Sequence, residues 1–269
     1  MNEKQAEQPK PLDEKVFKPI ARGFLESSGF SVLEIPREAR KTPDFLVEKG
    51  GEKTLIELKL KGDDPTEIEE ANRVLEAGEI WEQSKPTGPR DRLRNIISDG
   101  SKQCLKYDPA KSFFHVVWIH LWGRETALNE ERLLASLYGT QKLISMQKKN
   151  VVTAYYFQYS AFVQHRENLD AVLISVGDAL QFCINTRSTR IDAFRKSLFY
   201  AAYIAGLMDP DKEVGDPHTF FVPIDSDLKD SEKVLAILRE KYGVKHLQPF
   251  DFTQYTAAKR VSEEPRAAP

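Results

Sequence analysis

Residues 42–61 read TPDFLVEKGGEKTLIELKLK. A short apolar run from Phe45, a Gly50-Gly51 pair and an alternating run from Ile56 to Lys61 predict a strand, a turn and a second strand. Residues two apart on a strand project from the same face. Leu55, Glu57, Lys59 and Lys61 therefore share one face of the second strand, and Ile56, Leu58 and Leu60 share the other. The apolar face is expected to meet the core. The polar face sets a carboxylate beside an ammonium, and the turn brings the Asp44 carboxylate back towards both.

Two carboxylates and a lysine in a small space suit metal-assisted phosphodiester hydrolysis. Mg²⁺ takes one or two carboxylates and fills its remaining positions with phosphate oxygens and waters. The ion lowers the pKa of a bound water, and a nearby ammonium adds positive charge where the transition state is negative. Pro43-Asp44 followed by Glu57-Leu58-Lys59 resembles the signature of the PD-(D/E)XK nuclease superfamily. The resemblance implies an α/β fold, a restriction-endonuclease-like mixed β-sheet core flanked by helices. It also implies Mg²⁺, with Mn²⁺ as a substitute, held by Asp44, Glu57 and the Leu58 carbonyl. Lys59 would orient the attacking water, DNA is the default substrate, and the products would carry a 5′-phosphate and a 3′-hydroxyl. Pro210-Asp211 with Asp227-Leu228-Lys229 repeats the same words, but the second half lies in a polar stretch ahead of an apolar-periodic helix. That context predicts a turn and helix cap, not a strand.

Working outward, residues 12–28 are predicted helical, with a stripe of Val16, Phe17, Ile20, Phe24 and Leu25 ended by Gly29. The superfamily often carries a metal-binding glutamate on this first helix. Glu14 is a better placed candidate than Glu26, and a solvated carboxylate favoured by the helix dipole is the competing reading. Phe30 to Ile35 predicts the first strand. Residues 63–89 read as an acidic helical insertion, with Glu67, Glu69, Glu70, Glu76, Glu79 and Glu82 on a helix that stops before Pro86.

Arg90 to Lys106 returns to helix, with Gly100 on the apolar side, where backbone could approach a sheet closely. Gln103 and Tyr107 lie four apart on one helix side, and they resemble the Gln-x-x-x-Tyr element of RecB-like branches. The resemblance implies that both sit near the catalytic groups; a packed Tyr107 and an ordinary surface Gln103 are the plain alternative. Arg90, Arg92, Arg94 and Lys102 make this helix the first candidate for phosphate contact, and Arg187 and Arg190 form a second.

Residues 113–120 predict a strand buried on both faces, with His115 and His120 read as structural. A helix over 130–144, a strand over 151–158, a hairpin over 171–184, a helix from a Thr189/Asp192 capping box to Met208, a strand over 220–224 and a helix over 231–242 follow. The predicted organisation is flexible tails at 1–11 and 257–269 around one domain, 12–256. Its core is 12–120, and the C-terminal extension, 121–256, lengthens the same sheet and adds a helical flank.

With 269 residues, 41% hydrophobic and 30% charged, the chain fits an ordinary globular protein. A net charge of -2 gives no global basic signature, so affinity for nucleic acid must come from local patches. It also favours an enzyme guided or delivered by a partner over one relying on bulk attraction; a protein partner or a homo-oligomer is the accompanying expectation. The two cysteines lie in apolar stretches, which points to a reducing, cytoplasmic setting. No apolar run has transmembrane length, and zinc spacings, phosphate-binding glycine loops and Gly-x-Ser-x-Gly elements are absent. The sequence therefore predicts a metal-dependent nuclease. The alternative is a nuclease-like fold without cleavage that serves as a nucleic-acid or protein binding module.

Overall fold

The computed structural model describes residues 13–37, 41–147, 149–223, 226, 228 and 230–260. The Asp13 carboxylate caps helix α1 (Glu14–Ser27) by accepting from Lys15 N. Strands β1 (Ser31–Glu34), β2 (Phe45–Lys49) and β3 (Glu52–Lys61) follow as an antiparallel meander. Gly50 and Gly51 turn between β2 and β3 at φ of +59° and +85°, the paired left-handed conformation that a tight hairpin favours. Helix α2 (Pro65–Glu76) and strand β4 (Ile80–Pro86) make an excursion. Helix α3 (Asp91–Tyr107) then crosses back to β5 (Phe114–Leu121), which lies parallel to β3.

Beyond β5 come α4 (Thr126–Tyr138), β6 (Gln141–Ser145), β7 (Asn150–Tyr155) and α5 (Ala161–Gln164). Strand β8 (Ala171–Val176) pairs parallel with β5 and antiparallel with β9 (Ala179–Ile184). Short helices α6 (Ile191–Phe194) and α7 (Leu198–Ala202) lead to β10 (Leu207–Met208), which pairs with β9. Strand β11 (Thr219–Phe221), α8 (Ser231–Tyr242), β12 (Leu247–Phe250) and β13 (Thr253–Lys259) complete the described chain. The architecture is mixed α/β: a seven-stranded mixed sheet, order β1-β2-β3-β5-β8-β9-β10, with helices on both faces.

On one face, Phe17, Ala21 and Leu25 of α1 meet Phe45, Ile56, Leu58, Val116 and Trp118. On the other, Leu93 and Ile97 of α3 and Leu133 and Leu137 of α4 meet Val117, Ile119 and Val172. Strand β5 is thus buried on both sides, which accounts for its nearly unbroken apolar run. Leu55 and Ile56 are fully buried, each contributing about 2 kcal/mol by burial. Together they pin the register of β3, because a slip of one residue would exchange Ile56 and Leu58 for Glu57 and Lys59 on the α1 side. The apolar face meets the core as expected. The polar face is also covered, by α3, so that Glu57 is only 4% exposed.

Several elements differ from the sequence reading. The acidic helix stops at Glu76, and Ile80–Pro86 is a strand paired antiparallel with β13. Ala257, Ala258 and Lys259, expected to belong to a tail, pair there with Glu82, Trp81 and Ile80. The partner of β4 lies so far along the chain that no local pattern reveals it. Helix α4 begins at Thr126 and ends at Tyr138, and Gln141–Ser145, expected as its last turn, is strand β6. Gly139 stops that helix at φ +60°. The extension lengthens the main sheet through β8, β9 and β10, but β6, β7, β11 and β12 make a separate four-stranded sheet. No Thr189/Asp192 box opens a long helix: Ser188 Oγ accepts from Arg190 N at 3.1 Å, and Ser197 caps a second short helix. Residues 1–11 and 261–269, together with Asp227 and Lys229, lie outside the described residues. Among those described, no helix is long and apolar enough to cross a membrane.

Candidate active site

Asp44 immediately precedes β2 and is 5% exposed. Its Oδ2 accepts from Leu58 N at 2.9 Å, and its Oδ1 lies 3.0 Å from Lys18 Nζ. The side chain thereby supplies the acceptor that a backbone carbonyl of a longer β2 would otherwise give to Leu58 N. Peptide groups two residues apart on a strand face the same edge. The Leu58 carbonyl accordingly points the same way as that of Ile56, which accepts from Asp44 N at 3.0 Å.

Glu57 sits one residue before Leu58, on the face beneath α3. Lys59 Nζ bridges Glu57 Oε1 at 2.5 Å and Gln103 Oε1 at 3.2 Å. Glu57 Oε2 is buried with no hydrogen-bond partner. Burial, offset in part by Lys59 and reinforced by the neighbouring Asp44 carboxylate, pushes the Glu57 carboxyl up to about 7. The two acids line an open cleft of about 490 Å³. Glu14, Arg37, Lys41 and Thr42 form the rest of its rim.

Gly100 allows this arrangement. A Cβ there would lie 2.8 Å from Val117 Cγ2 and 3.4 Å from Glu57 Cγ. The close backbone approach read from sequence is therefore present, and it lays α3 directly on the carboxylate. Gly100→Ala gains about 1 kcal/mol of helix propensity. It overpacks a rigid, fully buried strand at a cost of about 1–3 kcal/mol. A net loss of stability is expected, seen as a lower urea midpoint; an unchanged or higher midpoint would refute the tight contact.

The structure brings together Asp44, Glu57, Leu58, Lys59, Gln103 and Glu14. Glu14 stands at the rim, paired with Arg37. Tyr107 is not brought in: it is 44% exposed. One further helical turn carries it about 6 Å past Gln103, away from the cleft. Arg190 also departs from its expected role. Its guanidinium donates to Asp170 and to the carbonyls of Lys111 and Phe113, so it is an internal clamp. Arg187 stacks on the Tyr156 ring at 4.0 Å and donates to the Val222 carbonyl. Arg94 donates to the Tyr159 carbonyl and pairs with Asp91. Lys102 is exposed on the side of α3 near His165, which burial and then the Lys102 charge hold down at about 4. Arg90 and Arg92 line a different cleft. His115 and His120 are structural as read, His115 between Asp108 and the Asn168 carbonyl, His120 against Ser175.

Lys18 was missed. It stands one helical turn after Glu14, so the i, i+4 rule that placed Glu14 on this side of α1 would have placed Lys18 there too. It joins Asp44 to Glu34, the latter at 2.8 Å.

Among the described residues, no group of three or more His, Cys, Asp and Glu side chains is arranged to hold a metal. Two adjacent carboxylates, one with an orphaned buried oxygen, plus a carbonyl on the same edge still fit a hard ion that keeps most of its waters. Compared with known proteins, the chain matches no family model, no curated protein and no solved structure.

Proposed function

We propose that this chain is a metal-dependent nuclease of restriction-endonuclease-like fold that hydrolyses phosphodiester bonds, with DNA as the default substrate. One observation carries the reading: Glu57 Oε2 is buried and unpartnered beside Asp44 on the wall of an open cleft. A buried carboxylate oxygen without a partner costs free energy, and a bound cation offsets that cost. The meander β1-β2-β3 followed by a helical crossover to a parallel β5 supports the same reading.

Asp44, Glu57 and the Leu58 carbonyl would hold Mg²⁺ or Mn²⁺, with Glu14 at the rim, and the ion would supply an activated water and offset phosphate charge. Glu57 must lose its proton before it can ligate. The Lys59 ammonium, steadied by Gln103, is placed to donate to the attacking water or to a phosphate oxygen. Arg37 and Lys41 on the rim suit flanking phosphates. The test is incubation with Mg²⁺ or Mn²⁺ and single-stranded, duplex and branched DNA, with RNA in parallel and Glu57→Ala as the control. Cleavage that persists in Glu57→Ala would remove the assignment.

The Lys18–Asp44 pair favours a second reading, a nuclease-like binding module in which an ammonium stands in for the ion. The two readings separate on Lys18→Met. Under the nuclease reading Lys18 repels the cation, and its removal is expected to tighten Mn²⁺ binding on the order of tenfold. Under the module reading neither form binds Mn²⁺.

A further inference from the structure

A second cleft, of about 380 Å³, opens at the C-terminal end of β3. Leu60 lines the first cleft and Lys61 lines this one, so consecutive residues of β3 serve both. Four carboxylates line it, and each is already paired: Asp64 with Arg92, Glu67 and Glu125 with Lys85, and Asp91 with Arg94. Three cations are left over. Lys61, Arg90 and Arg132 carry no salt bridge among the described residues; Lys61 donates to the Gly62 carbonyl, and both arginines to the Pro86 carbonyl.

These cations come from β3, the N-cap of α3 and α4, so three separate elements converge positive charge on one cavity. Burial, and then the charge of Arg92, lowers the Lys61 pKa; burial, and then Arg90, lowers that of Arg132. Asp63, Asp64 and Glu125 pull the other way on Lys61, and Glu125 and Glu67 on Arg132; burial remains the largest cause for both, and an anion would relieve that desolvation. The first turn of α3 has no side-chain cap, and Asp91, Arg92 and Leu93 line the cleft, so the positive end of the helix dipole lies beside it. Lys85 serves two of the carboxylates, so with Arg94 counted six cations stand against four carboxylates, and the surplus of two positive charges matches a phosphate monoester, which carries close to two negative charges at neutral pH, better than a singly charged phosphodiester. Guanidinium groups suit phosphate because they donate through two parallel N–H groups.

We propose that Lys61, Arg90 and Arg132 form a binding site for a phosphate monoester, the terminal phosphate of a nucleic-acid strand whose body runs towards the carboxylate cleft. Lys59 and Lys61 project from the same face about 7 Å apart, a distance of the order that separates neighbouring phosphates on a strand. The choice of a strand end rests on the nuclease reading; the phosphate site does not. The enzyme would then act near ends and favour phosphorylated ones.

The experiment is fluorescence anisotropy with the full chain in EDTA, where no cleavage intrudes. The ligands are one labelled oligonucleotide bearing a 5′-phosphate, a 3′-phosphate or hydroxyls at both ends, with inorganic phosphate and a nucleoside monophosphate as competitors. One phosphorylated form is expected to bind roughly tenfold tighter than the hydroxyl form. Arg90→Gln and Arg132→Gln should each abolish that preference, and Arg132→Lys should retain part of it. Among the described residues the Arg90 side chain makes one hydrogen bond, an exposed one to the Pro86 carbonyl, so its variant is expected to melt like wild type and keeps the test interpretable. Equal affinity for all three strands, or a preference surviving in both glutamine variants, overturns the proposal. Binding of the free phosphates with no preference among strands overturns the strand-end ligand and leaves a site for a small phosphate compound. Glu57→Gln should retain the end preference; cleavage by that variant would count against the nuclease reading alone.

Discussion

Replacing Glu57 with glutamine is expected to lower Mg²⁺-dependent cleavage by roughly a thousandfold or more, the order seen when one strong electrostatic contributor to a transition state is removed. The same substitution is expected to make the metal-free protein more stable at alkaline pH. The Glu57 carboxyl is raised from 4.5 to about 7 in the folded state. Between those values the folded chain holds a proton that the unfolded chain has released. The contribution of Glu57 to stability is therefore fully present below pH 4.5 and lost as pH rises through about 7. The full loss amounts to about 3 kcal/mol. Urea unfolding of both proteins in EDTA, at pH 5 and pH 8, isolates this group from the other titrating residues by difference. The glutamine variant is predicted to gain on wild type between the two. A parallel pair of curves would show that Glu57 is not held protonated by its surroundings. Loss of activity together with gain of stability marks a side chain kept for chemistry.

Asp170→Ala is expected to produce the largest loss of stability. Asp170 is fully buried. Its Oδ2 accepts from His115 N at 2.8 Å, and Oδ1 from Ser188 Oγ at 3.0 Å and Arg190 Nε at 3.2 Å. Arg190 in turn holds the carbonyls of Lys111 and Phe113, each at 2.8 Å, where the chain enters β5. Truncating the carboxylate strands a half-buried guanidinium and an amide, at a cost of about 3–5 kcal/mol. That is about a fifth or more of the roughly 5–15 kcal/mol available to a domain. Denaturant unfolding at neutral pH measures it directly, and a loss under about 1 kcal/mol would mean that Arg190 finds other partners.

The part of the fold legible in sequence is the part made by local pattern. The alternation from Ile56 to Lys61, the glycine pair at 50–51 and the unbroken apolar run of β5 fix three neighbouring strands of the main sheet. Gly100 and Gln103 were legible because helical periodicity put them on the sheet-facing side, and both reach the site. Tyr107 shares that side but not that height, and periodicity carries no information about where a helix overruns its sheet. The ribbon of β4 and β13 was not legible, because its two strands meet only through distant pairing. Arg190 reads as a surface cation in sequence, since its buried partners, Asp170 and two carbonyls, are assembled only by the fold. Lys18 is legible by the same periodicity, since it stands four residues after Glu14 on one side of α1.

If the chain is the proposed nuclease, Asp44 and Glu57 hold one divalent cation between them. Calorimetric titration of the full chain with Mn²⁺ at pH 6 and at pH 8 tests it most directly. The predicted result is a single site for wild type that tightens with pH and releases close to one proton per ion at pH 6, as a carboxyl poised near 7 requires. Asp44→Asn and Glu57→Gln should each abolish it while leaving the protein folded. Absence of Mn²⁺ binding by folded wild type, or binding that survives both substitutions, would contradict the account.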